Sequence, residues 1–122
     1  MEIPLDKIGD VAVVIVPVEE LDAGRTDEFK RDMAPVLEAN AKVVLDLSRL
    51  SFIDSSGLGS FLSCLRKLNA KGGDLKLYGM SQRVRMAFEL VRMHRIFNIY
   101  DTKDEAVRAF TDQRAGKESV SL

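Results

Sequence analysis

Apolar positions along this chain switch repeatedly between short β-branched runs bounded by turn residues and longer stretches with apolar side chains three or four residues apart. The first pattern marks strands and the second marks amphipathic helices. Ile3–Ile8 and Val11–Val16 flank Gly9 and Asp10, which predicts an antiparallel hairpin whose second strand is closed by Pro17. Thr26 is placed as the N-cap of a first helix, with Asp27 and Glu28 in its first turn and Phe29, Met33, Val36 and Leu37 along its apolar face. Pro35 falls inside that pattern, where its missing amide predicts a kink or an early end.

"KVVLDL", Lys42 to Leu47, reads as a central strand with few solvated positions. Beyond it, Leu58, Phe61, Leu62, Leu65 and Leu68 form the stripe of a second helix, which the glycines of "KGG", Lys71 to Gly73, bring to an end. Asp74–Gly79 alternates as another strand. Ser81 is the expected cap of a third helix that buries Val84, Ala87, Phe88 and Val91. Ile96–Tyr100 fits an edge strand, and Thr102 with Glu105 forms a capping-box pattern opening a last helix that carries Ala106, Val107 and Phe110. The predicted order is β-β-α-β-α-β-α-β-α. Alternation of this kind implies a single α/β domain whose sheet is mixed, mainly parallel and flanked by helices. The domain is expected to span residues 1–112, with a polar, flexible tail over 113–122.

A chain of 122 residues is long enough for one core, and 46% hydrophobic with 30% charged residues is an ordinary globular composition. With 18 basic and 19 acidic side chains the net charge is −1, so there is no overall basic field and no direct nucleic-acid partner is expected. Runs such as Val11–Val18 are too short to insert across a membrane. The acidic start "MEIPLDKIGD" lacks the basic and apolar regions of a secretory signal, so the expected location is cytoplasmic. Cys64 is the single cysteine, which excludes an internal disulfide, and it is read as a reduced structural thiol. The sequence sets no oligomeric state.

Candidate chemistry concentrates in "FIDSSGLG", Phe52 to Gly59, where a strand passes into a helix. One reading is structural, with Ser or Asp capping the helix and glycines allowing close packing. A Gly-x-Ser-x-Gly elbow fails on both Ser55 and Ser56, and the only histidine, His94, lies in a distant segment. Neither nucleotide-binding glycine pattern is present, since Leu62 stands where the third glycine of Gly-x-G-x-x-Gly belongs. Asp46, Asp54 and Asp74 fall on different elements without His or Cys at ligand spacing, so neither metal nor cofactor is expected. What remains beside the cap is a regulatory phosphoserine, carrying about −1.5 to −2 charge at a helix start suited to anions. Spacing does not rank Ser55 above Ser56.

"VVLDLSRLSFIDSSGLG", Val43 to Gly59, resembles the strand and phosphorylation loop of the STAS family, specifically its stand-alone bacterial anti-sigma factor antagonists. Similarity extends to "ELDAGRTDEF" from Glu20, "KGGDLKLYGMSQRVRMAFEL" from Lys71 and "IFNIYDTKDEAVRAF" from Ile96. The resemblance implies a STAS-like domain without catalytic activity, phosphorylated on Ser55, with Ser56 as the alternative acceptor. The implied partners are an anti-sigma factor that is itself a serine kinase and a PP2C-type phosphatase. The unphosphorylated form binds the anti-sigma factor and frees the sigma factor; phosphate ends that binding. Asp22, Asp54, Ser56, Gly57 and Leu58 are the implied docking residues, with Asp54 shaping the loop and Ser56 and Gly57 starting the helix. The alternative is a constitutive STAS subunit of a transport or signalling assembly. Glu19, where many members have glycine, and Pro35 depart from the family pattern at the first loop and helix. Arg83, Arg85, Arg92 and Arg95 read as a solvated basic face, or else as a contact for an acidic partner.

Overall fold

The computed structural model describes residues 1–111; the expected domain end at residue 112 and the tail over 113–122 lie outside the described residues. In chain order the elements are β1 (Leu5–Ile8), β2 (Val11–Ile15), β3 (Glu20–Leu21), α1 (Thr26–Ala39), β4 (Lys42–Asp46), β5 (Phe52–Ile53), α2 (Ser55–Ala70), β6 (Asp74–Tyr78), α3 (Gln82–Leu90), a 3-10 turn (Met93–Arg95), β7 (Asn98–Tyr100) and α4 (Lys103–Thr111). The main sheet runs β1-β2-β4-β6-β7. Its β1–β2 hairpin is antiparallel, turning at Gly9 with φ +63, and every other neighbour pair is parallel.

Alternate residues of the strands feed two apolar layers. Ala12, Val14, Val43, Leu45, Leu75 and Leu77 pack under α1, α2 and α3, where Phe29, Phe61, Phe88 and Phe97 form a chain with centroids 5.7, 6.3 and 5.8 Å apart. On the opposite face Val11, Val13 and Val44 meet Ala106, Val107 and Phe110 of α4. Burial on both faces explains why Lys42–Leu47 carries so little polar punctuation. Lys76, paired across from Val44, is 6% exposed; its ammonium lies 4.6 Å from the Phe110 ring centroid and 3.2 Å from Asp74 Oδ2. Cys64 is buried in the larger core, and that burial pushes its thiol up to about 11. No described helix is long and apolar enough to cross a membrane.

Several caps match their sequence patterns. Ser81 Oγ accepts the Val84 amide at 3.2 Å, and Thr102 and Glu105 exchange amide contacts at 3.2 Å in a capping box. At the end of α2, Gly72 has φ +82, and the Gly72 and Gly73 amides donate to Asn69 O and Leu68 O, a Schellman closure.

Other expectations are corrected. α1 continues through Pro35 to Ala39 without ending. Pro35 and Arg31 are both exposed, so the carbonyl that loses its donor faces water rather than the core. Thr26 is not a side-chain cap: it is the first, buried residue of α1, and the turn is closed by Asp22 O, which accepts the Arg25 and Thr26 amides. Val91 is 52% exposed because α3 ends at Leu90 and Arg92, at φ +60, turns the chain away. The order also gains β3 and β5, which form a separate parallel pair outside the main sheet.

Candidate functional site

The "DSSGLG" segment begins where β5 leaves that small pair. Glu19 O accepts the Ser51 and Phe52 amides at 2.7 and 3.1 Å and the Ser51 hydroxyl at 3.1 Å. Glu20 and Leu21 then pair with Phe52 and Ile53, and Leu21 O accepts the Asp54 amide at 3.3 Å. The loop before α1 and the loop before α2 are thereby laced into one unit. Glu19 contributes its carbonyl to this lacing and its side chain is exposed, so the departure from glycine leaves the loop's bonding intact.

Asp54 completes the unit. Its Oδ1 accepts the Gly57 amide at 3.0 Å, capping α2, while its Oδ2 accepts the Ala23 amide from the other loop at 3.1 Å. Asp22 Oδ1 accepts the Gly24 amide at 3.0 Å, holding that second loop in a tight turn. Gly57 is the point of closest approach: a Cβ there would lie 2.4 Å from Leu21 O and 2.6 Å from Ile53 Cγ1. The Gly57 carbonyl also receives the buried Ser60 hydroxyl at 2.6 Å.

The helix start thus belongs to Asp54, with Ser55, Ser56 and Gly57 as its first three residues; this corrects the placing of helix initiation on Ser56. Neither serine caps. Both are exposed, and neither hydroxyl forms a hydrogen bond among the described residues. Leu58 is 5% exposed and Gly57 is buried, so they underpin the loop and are not surface contacts as expected. Asp22, Asp54, Ser55 and Ser56 do come together around it.

Asp46, at the end of β4, does different work. Burial pushes its carboxyl up, but the Ser48 hydroxyl and amide together with the Tyr78 hydroxyl outweigh burial and hold it below the ordinary carboxylate value. Tyr78, 2.7 Å from Asp46 Oδ2, is raised by burial first, then by its hydrogen bond to the Asp46 carboxylate and by that group's charge. This pair ties β4 to β6.

Two recesses share walls with the loop unit. An acidic cleft of about 350 Å³ is lined by Pro17, Val18, Glu19, Glu20, Asp22 and Arg25. An apolar groove of about 300 Å³ lies between β5 and α3. Sequence reasoning missed the β3–β5 pair and the Ala23 contact. Strands this short carry no periodic signal, and the contact joins residues 31 positions apart.

Fold and site together describe a small α/β binding module that presents a serine pair on a rigid loop. The STAS domain family model matches residues 2–106, and the chain belongs to the STAS domain family. The anti-sigma-B factor antagonist of Listeria monocytogenes is 31% identical over 88 residues, 70% of this chain and 76% of that protein. The anti-sigma F factor antagonist of Paenibacillus polymyxa is 30% identical over 90 residues, 72% of this chain and 77% of that protein. The phosphorylated form of the Bacillus cell fate determinant SpoIIAA shares the fold, with a TM-score of 0.65 at 24% identity over 88% of this chain and 98% of that one.

Proposed function

We propose that this protein is an anti-sigma factor antagonist controlled by phosphorylation of Ser55. The observation that carries this reading is an exposed, unengaged Ser55 hydroxyl on the first turn of a helix whose loop is held from both sides. Unphosphorylated protein binds an anti-sigma factor that is also a serine kinase, which frees the sigma factor. In the transfer, Ser55 Oγ forms a bond to the γ-phosphorus of ATP, the bond to the β-phosphate oxygen breaks, ADP leaves, and the hydroxyl proton passes to a base on the kinase. This chain supplies the acceptor and no catalytic group.

The consequence is electrostatic. Asp54 is adjacent and Asp22, Glu19 and Glu20 belong to the same laced unit, so about −1.5 to −2 further charge enters an already acidic surface. The fold tolerates it because the Ser55 and Ser56 amides at the helix start favour an anion. A partner interface closed over the loop does not, since it must desolvate that charge against carboxylates. Asp22, Asp54 and Ser56 form the docking rim, with Gly57 and Leu58 beneath. A PP2C-type phosphatase removes the phosphate and resets the cycle, all in the cytoplasm where ATP and sigma factors meet.

Incubation with the candidate anti-sigma factor kinase and ATP, followed by intact-mass and peptide mapping, tests the assignment. One phosphate on Ser55 is expected, and Ser55→Ala should bind the kinase yet take none. Phosphate on Ser56 alone would reassign the acceptor. No phosphate on any serine would contradict the reading and favour the constitutive subunit.

A further inference from the structure

The groove between β5 and α3 lies outside the docking rim described above and supplies no group to the phosphate transfer proposed there. Helical spacing sets Arg83, Met86, Ala87 and Leu90 along one wall, and Phe52 and Ile53 form the other. Met86 is 59% and Leu90 85% exposed, and Phe52 36%. Apolar side chains gathered around a recess, unlike singly scattered ones, mark a binding surface.

Arg83 is the one charged residue in that wall. Its guanidinium lies 5.8 Å from the Phe52 ring centroid, and among the described residues no carboxylate pairs with it. Arg85, two positions on, has Asp101 at 3.9 Å. An aromatic ring thus steadies a cation inside an apolar wall while leaving its donors open. The complementary occupant has apolar residues at helical spacing and a carboxylate among them. α3 spans 9 residues, which at roughly 1.5 Å per residue gives a seat for about two turns of helix. Phe52 precedes Ser55 by three positions, so whatever fills the groove is brought against the serine loop.

We propose that this groove docks an amphipathic, carboxylate-bearing helix of the anti-sigma factor kinase and so holds the kinase over Ser55. The inference rests on the function proposed above, and the test separates the two. The purified kinase is titrated calorimetrically into wild type, Leu90→Glu, Arg83→Glu, Arg83→Gln and Ser55→Asp, with thermal melts confirming that these exposed substitutions leave the fold intact. Leu90→Glu should weaken binding about tenfold or more, and Arg83→Glu should weaken it more than Arg83→Gln. If Ser55→Asp loses binding while Leu90→Glu matches wild type, the groove proposal fails and the switch stands. If Leu90→Glu loses binding while Ser55→Asp matches wild type, the groove stands and the charge switch fails. Wild type that binds no anti-sigma factor kinase overturns both. Sedimentation showing a wild-type dimer that Leu90→Glu dissociates would assign the groove to a second copy of this chain and overturn the proposal.

Discussion

Gly57 and Gly59 sit two positions apart on one helix and have opposite constraints. A methyl at Gly57 would run into Leu21 O and the Ile53 side chain, whereas a Cβ at Gly59 meets nothing within 4 Å. Gly57→Ala is therefore expected to destabilise by about 1–3 kcal/mol through backbone displacement. Gly59→Ala should be neutral or stabilising by up to about 1 kcal/mol, because alanine is the better helix residue. Urea denaturation of the two variants checks this, and equal losses would contradict the steric account. Sequence spacing alone left Asp54, Ser55 and Ser56 all eligible as caps. The carboxylate prevails because one oxygen reaches Gly57 while the other reaches Ala23, a contact that no local pattern could show.

Among the elements, those with a periodic apolar face were legible: the β4 strand, α2, β6 and α4 appear where spacing and capping residues put them. Elements decided by tertiary context were not. α1 survives Pro35 because the ring lies on its exposed side, and α3 stops short of Val91 because Arg92 turns left-handed. β3 and β5 exist only as each other's partner. Their junction at Asp54 gives an element-scale prediction. Asp54→Ala should cost about 1–2 kcal/mol by removing the cap of α2. Asp54→Asn keeps one accepting oxygen for Gly57 but has no second acceptor for Ala23, so its loss should be smaller. Hydrogen exchange at the Ala23 amide should speed up in both variants, and unchanged protection in Asp54→Asn would contradict the two-loop role.

At the scale of the whole molecule, the sheet buried between α1–α3 and α4 is a rigid frame, and the serine loop is laced to the loop before α1 and anchored by Ile53 and Leu58 in the larger core. The α/β class, the mainly parallel pairing and the loop's position at a strand-to-helix junction could all be read from alternation and from the family resemblance. The two recesses could not, because their walls join residues from segments far apart in the chain. On the proposed function, a phosphate on Ser55 of such a frame changes the surface charge and not the fold. The most direct measurement is a calorimetric titration of the anti-sigma factor kinase with unphosphorylated protein and with protein phosphorylated on Ser55, both confirmed folded by melting. Binding should weaken about tenfold or more on phosphorylation while both forms melt cooperatively. Equal affinity of the two forms would contradict the switch.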